Sequence, residues 1–369
     1  MLRIFNFKIV FFAGFLVFSV MQAGFSSEKN SEHLVSPELL KKAGLEIVWE
    51  SVLPTKENES LEKLLLVGYR VYAISNKSFV LSINKDDGRT IFAKTVTPAG
   101  LKIERLNLLD GKLFSVAGDE LIEINPDTGI DTNSMAFDFS IECPPAINSS
   151  YLYLSGSDKR LHVLNKEDGL EYFNVAADNH SSITSIIAEE DYVIFGTDQG
   201  DIISMLSDEP KRLWKFDATE AIPGLIIKDG ESLFFASEDT NVYRVDIQDK
   251  FKHKFIWKCQ MDGMLKTSPR VTEDIIYQQV YSKDLTAIDK FRGSILWSLP
   301  DGIDLLAVYK GKAYVITRDQ TLTVMENSTG RKLYSVNFRG VSKYASNTID
   351  SKIYIADKTG RVACLKPFK

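Results

Sequence analysis

The sequence is poor in the residues that build most active sites. Cysteine occurs 3 times and histidine 4 times in 369 residues. Cys143, Cys259 and Cys364 lie far apart and form no C-x-x-C, and an odd number leaves at least one thiol unpaired. They read as small buried hydrophobes on strands. His33, His162, His180 and His253 show no metal-ligand spacing. No G-x-S-x-G, H-E-x-x-H, Walker or dinucleotide fingerprint occurs. The balance is acidic, net −6, and no basic stretch is read as able to follow a phosphate backbone. Nucleic acid is therefore not an expected partner.

Long apolar runs are also missing, apart from Ile9 to Met21. Arg3 and Lys8 precede that run and the small residues of QAGFSS follow it, which reads as a secretory signal peptide over residues 1–26. Cleavage is expected after Ala23 or Ser26, and the alternative is an uncleaved anchor helix. No cysteine lies near the cleavage region, so no lipobox is read there. Without Arg3 and Lys8 the count is 42 basic to 50 acidic residues, a net −8. The expected location is periplasmic or extracellular. Residues 27–44 read as a polar tether and one short helix, VSPELLKKAG. Ser36 is placed to cap it, Pro37 to open it and Gly44 to end it.

What the chain does have is repetition. LHVLNKEDGLEYF (Leu161–Phe173) returns as VLSINKDDGRTIF, IEINPDTGID, LTAIDKFRGSILW and LTVMENSTGRKLY. Each reads as a strand, a tight Asn/Asp/Gly turn and an outer strand closing on an aromatic. An edge strand carrying a hydrophobe precedes each pair, at Tyr72, Phe114, Tyr153, Val193, Phe234, Tyr277, Tyr314 and Tyr354, about 40 residues apart. That makes eight units over residues 45–369. The closing aromatics, Phe92, Phe173, Trp214, Trp257, Trp297 and Tyr334, keep the same beat, with Phe137 serving unit two. Unit four has Pro210 in place of Gly and unit five has a longer turn, so both are expected to have irregular outer edges. The last unit lacks a closing strand, and LEIVWES with Trp49 is the spare strand that would complete it. The expectation is an all-β, eight-bladed propeller closed by an N-terminal strand.

The Asp-rich turns look superficially like calcium loops, but the D-x-D-x-D-G spacing and its distal Glu are absent, and hairpin chemistry explains them. The repeat, with LTAIDKFRGSILW nearest its consensus, resembles the pyrroloquinoline-quinone-like repeat over about 320 residues. The competing WD40 pattern is not matched, since no Trp precedes Asp and no Gly-His pair occurs. The resemblance implies an eight-bladed propeller in which the aromatics, here Trp49, Phe92, Phe173, Trp214, Trp257, Trp297 and Tyr334, wedge neighbouring blades together, and it implies two kinds of protein. One comprises quinone-dependent dehydrogenases, with an adjacent cysteine pair, calcium and a catalytic Asp. The other is a non-catalytic branch similar to BamB, the periplasmic scaffold of outer-membrane barrel assembly.

The expected function is accordingly an exported, non-catalytic, monomeric scaffold that needs no cofactor and binds an envelope protein, the barrel-assembly machinery being the partner that the resemblance implies. The alternatives are a dehydrogenase using pyrroloquinoline quinone with calcium, or a propeller binding a small ligand or carbohydrate. Loops preceding the inner strands are expected to gather Lys102, Glu104, Glu142, His180, Glu220, Met264, Lys266, Asp304, Arg339 and Lys343 on one partner-binding face. No residue is assigned a catalytic, cofactor or metal role.

Overall fold

The computed structural model describes residues 33–55, 58–97 and 102–368. The signal peptide, most of the tether and parts of the loops around residues 56 and 99 lie outside the described residues. Within them, eight antiparallel sheets of four strands follow one another along the chain. Blade one consists of Leu61–Val67, Arg70–Ser75, Phe79–Asn84 and Thr90–Thr95, from inner to outer strand. Blades two to seven span residues 105–136, 146–176, 183–217, 227–260, 270–300 and 302–337 in the same order.

Blade eight closes the ring. Its strands are Lys343–Ala345, Ile353–Ala356, Arg361–Pro367 and, outermost, Leu45–Val52. The N-terminal strand runs antiparallel to the C-terminal one, from Leu45 opposite Pro367 to Val52 opposite Arg361. Pairing the two ends of the chain removes the gap that a linear array would leave. The helix before it, Pro37–Lys42, opens on proline as expected. Ser36, however, makes no side-chain cap; its carbonyl accepts from the Leu40 N–H instead. Gly44, at φ 72°, turns the chain out of the helix into the strand.

The hydrophobe-bearing strand expected at each unit's edge is the second of four. An additional inner strand, as short as Ala146–Ile147 in blade three, separates it from the axis. This explains why the second strands bury both faces: Tyr72, Tyr153, Tyr277, Tyr314 and Tyr354 are all among the largest fully buried side chains.

The closing aromatics act through glycine. A Cβ on Gly88 would lie 2.6 Å from the Trp49 ring, one on Gly129 2.6 Å from Phe92, one on Gly293 2.5 Å from Trp257, and one on Gly330 2.3 Å from Trp297. Each glycine belongs to the outer turn of the next blade and has φ near +70°. It therefore supplies both the turn and the floor for the ring. The indole N–H of Trp49 donates to Lys85 O at 3.0 Å, that of Trp257 to Lys290 O at 3.2 Å, and that of Trp297 to Asn327 O at 2.8 Å.

Several seams differ from the expectation. Tyr334 does not wedge; it is 50% exposed. Blade eight takes its outer strand from the N-terminus and so has no outer turn for Tyr334 to rest on; the helix side chains Leu40 and Ala43 pack with Val336 and Phe338 there. In blade two, Met135 approaches Gly169, while Phe137 stacks on Phe139 with ring centroids 5.1 Å apart. Phe173, half-buried, packs against the core cluster shared by blades three and four, and the outer turn of blade four carries no glycine. Blade four keeps six-residue outer strands and the single bulge found in blades one, three, six and seven, so Pro210 leaves its edge regular. Blade five is irregular as expected: Asn241–Asp249 and Lys252–Gln260 are nine residues each, with two register shifts. Trp214 meets His253 of that longer hairpin at 4.8 Å instead of a glycine.

Candidate partner-binding face

In a four-stranded antiparallel blade, the connections between strands two and three and between successive blades emerge at one end, and the remaining hairpins at the other. Glu104, Glu142, His180, Glu220, Met264, Lys266 and Arg339 all lie on blade-to-blade connectors, with Lys102 beside the undescribed part of the first. The fold brings them to the same face. Asp304 and Lys343 are on inner strands rather than loops, because only Asp301 separates blade six from blade seven and Lys343 is already paired with Ala356.

These residues divide by their partners. Asp304 is held by both arms of Arg270, each at 2.9 Å. This is the two-point geometry that fixes a guanidinium against a carboxylate. Burial works against the Arg270 charge, but Asp304 prevails and raises its pKa. Lys102 reaches Glu62 at 3.4 Å, Glu104 reaches Arg105 at 3.5 Å, and the Lys266 ammonium sits 4.2 Å above the Tyr281 ring. Glu142, His180, Glu220, Met264 and Arg339 are exposed.

His180 is displayed by a pinned loop. Asn179 and His180 are both left-handed, at φ 56° and 52°. Ser181 closes the turn by donating to Asp178 O at 2.7 Å. Arg212 and Lys215 of blade four grip the Asp178 carboxylate. Burial pushes that carboxyl up, but the two cations outweigh it and hold it below the usual range.

The inner strands add cations that the sequence reading passed over. Lys63 donates to Ile103 O at 3.0 Å and Glu104 O at 2.9 Å, and Arg105 donates to the carbonyls of Ile141 and Glu142. Each ties an inner strand to the connector ahead of the next blade. Two recesses in the mouth, about 450 and 470 Å³, meet at Arg270; Lys343 and Asp304 line the first and Lys266 lines the second. The signal was available, since Lys63 and Arg105 occupy the same place in successive units.

Among the described residues no three His, Cys, Asp or Glu side chains are grouped to hold a metal. The three cysteines are free, buried and distributed to different parts of the ring. Cys259 and Cys364 lie on strands as expected, whereas Cys143 lies on a connector, where Ser155 donates to its sulfur at 3.1 Å. Nor is any described helix long and apolar enough to cross a membrane.

Comparison with known proteins agrees with this architecture. No curated protein matches the sequence. The structure of BamB from Moraxella catarrhalis superposes with a TM-score of 0.67 at 15% identity, covering 88% of this chain and 98% of that one. A computationally designed protein, Ika8, superposes with a TM-score of 0.65 at 15% identity, covering 85% and 98%. At such identities the likeness is one of fold alone. The sequence itself matches the family described as outer membrane protein assembly factor BamB over residues 46–254 and 252–368. The chain belongs to that family.

Proposed function

We propose that this chain is an exported, non-catalytic scaffold that binds an envelope protein of the barrel-assembly machinery. The observation carrying this reading is the closed ring, which holds the connectors of consecutive blades on one face and presents Glu142, His180, Glu220, Met264 and Arg339 to solvent. A rigid ring lets such loops bind without a large ordering cost. The inner-strand cations act as struts: Lys63 and Arg105 fix the connectors that carry Glu104 and Glu142. Membership of the family described as an outer membrane assembly factor supports the choice of partner class. The chain works as a monomer without a cofactor, and its export depends on residues 1–26.

The test is cross-linking of the tagged protein in its native envelope, followed by identification of what is captured. The parent is expected to recover barrel-assembly components, and a combined E142K/E220K/R339E variant to lose most of them. Equal recovery by parent and variant would sink the assignment of this face. Capture of an electron-transfer protein instead would favour the quinone reading.

A further inference from the structure

The largest recess in the ring lies at its hairpin end, opposite the connectors that carry the candidate partner face. It spans about 710 Å³ between the turns of blades six, seven and eight. Glu273 and Asp274 stand on the first hairpin of blade six, Lys310 on that of blade seven and Ile349 on that of blade eight. Leu296 and Val308 form an apolar wall where blades six and seven pack. Ile349 is 79% exposed, yet its loop is fixed. The buried Asn347 accepts from the Ile349 N–H at 2.9 Å and donates to Lys352 O at 2.9 Å.

Asn327, on the outer turn of blade seven, lines this recess and is only 8% exposed. Its Oδ1 accepts the Tyr277 hydroxyl, its N–H donates to Gly311 O at 2.7 Å, and its carbonyl accepts the Trp297 indole at 2.8 Å. Nδ2 is the exception, with no acceptor among the described residues. A buried amide with a spare donor at a cavity wall is completed by an acceptor from outside, such as a main-chain carbonyl. The charge is acidic. Glu273 and Asp274 are exposed and make no ion pair among the described residues. Asp289 holds the outer turn of blade six, accepting the N–H groups of Phe291 and Arg292 at 2.9 and 2.8 Å. The nearby cations are matched: Lys290 pairs with Asp229, and Arg292 lies 3.9 Å from Asp289. Of the lining side chains only Lys310 is cationic, and its ammonium lies over Tyr309 at 5.1 Å. Two free carboxylates thus face one lysine.

We infer that this recess is a docking groove for an extended polypeptide segment that sets a lysine or arginine beside an aliphatic side chain. The segment belongs to a protein other than the one bound on the connector face. Its cation lies against Glu273 and Asp274, its aliphatic group against Leu296, Val308 and Ile349, and one of its main-chain carbonyls accepts from Asn327 Nδ2. Each part selects. The two carboxylates disfavour an acidic segment, the apolar wall disfavours a wholly polar one, and the single buried amide fixes the register. The volume suits a few residues of extended chain rather than a folded surface. A ring so loaded holds two proteins on opposite faces. The inference does not depend on the partner assignment, and either can fail alone.

The test is an array of random octapeptides probed with labelled residues 27–369, which contain the compact unit formed from His33 onward. The strongest binder is then titrated in solution by fluorescence anisotropy. Bound peptides are expected to be enriched in Lys or Arg beside Leu, Ile or Val, and to bind less in high salt. E273Q/D274N should weaken the strongest binder about tenfold, at roughly threefold per exposed ion pair. I349S should weaken it about fivefold, for roughly half of an isoleucine's burial. Glu273, Asp274 and Ile349 are exposed, so unchanged melting temperatures are expected to separate lost binding from lost folding. E142K/E220K/R339E, altered on the other face, should bind as the parent does. No bound peptide, bound peptides without the basic-aliphatic pairing, or full binding by either groove variant overturns the inference. Loss of binding by E142K/E220K/R339E also overturns it, and assigns the peptides to the connector face.

Discussion

Gly330 and Gly311 distinguish two costs that a single glycine substitution usually mixes. Both have φ near +70°, but a Cβ at 311 meets nothing within 4 Å while one at 330 strikes Trp297. Gly311→Ala is expected to cost about 1–2 kcal/mol for the left-handed backbone alone. Gly330→Ala should add about 1–3 kcal/mol of overpacking. Urea unfolding of the two variants measures the difference, and equal losses would mean the indole is not seated on the glycine. The thiols give a second prediction at this scale. Burial pushes Cys143 up to about 11 and Cys364 up to about 12, and raises Cys259 as well. At pH 8 the native protein is expected to take up essentially no maleimide, and all three thiols should react once it is denatured. Single residues were legible in the sequence where the repeat was regular. Trp49, Phe92, Trp257 and Trp297 stood out as aromatics closing their units, and in the structure each rests on a turn glycine of the next blade. Tyr334 could not be told apart from them, since the missing turn follows from how the ring closes. Lys63 and Arg105 share a place in successive units, but that each ties a connector to an inner strand follows only from the packing.

Between elements, the most informative seam joins blade eight to blade one. Lys85 meets Asp350 at 2.5 Å, and Lys352 meets Asp86 at 2.5 Å. Burial raises the Asp350 carboxyl, but Lys85 and Asn347 pull it down further, so its folded pKa lies below 3.8. Burial lowers the Lys352 ammonium, but Asp86 and Asp350 outweigh it, so its folded pKa lies above 10.5. The Asp350 contribution is present above its unfolded value and lost as pH falls through the lower folded one. That of Lys352 is present below its unfolded value and lost as pH rises through the higher folded one. Melting temperatures of parent and D350N are therefore expected to differ by a constant amount between pH 5 and 8, with the gap closing below pH 4. A gap that persisted in acid would contradict the pairing. The blade-five hairpin was visible in sequence only as a longer turn. The groove between the turns of blades six, seven and eight was not visible at all, because the ring brings its walls together, a relation no local pattern carries.

For the whole molecule, the ring depends on a strand contributed from the far end of the chain. Deleting residues 33–52 removes the outer strand of blade eight and the helix over blade seven. It is expected to leave the edge of Arg361–Pro367 unprotected and a protein that aggregates or melts well below the parent, checked by light scattering during a thermal scan. This closure was legible because the last unit ran out of sequence and a spare strand stood at the start. The binding face was legible only as a set of connectors. The inner strands contribute Asp304 and Lys343 to its mouth, and the links through Lys63, Arg105 and Arg270 follow from three-dimensional packing.

The most direct test of the scaffold reading is mapping lysine cross-links from the protein in its envelope. Lys102, Lys266 and Lys343 belong to the candidate partner face, and Lys252 and Lys254 to the opposite one. Links from the first group to barrel-assembly components, with none from the second, are the predicted result. Links to those components from Lys252 and Lys254 alone, or from neither group, would contradict it.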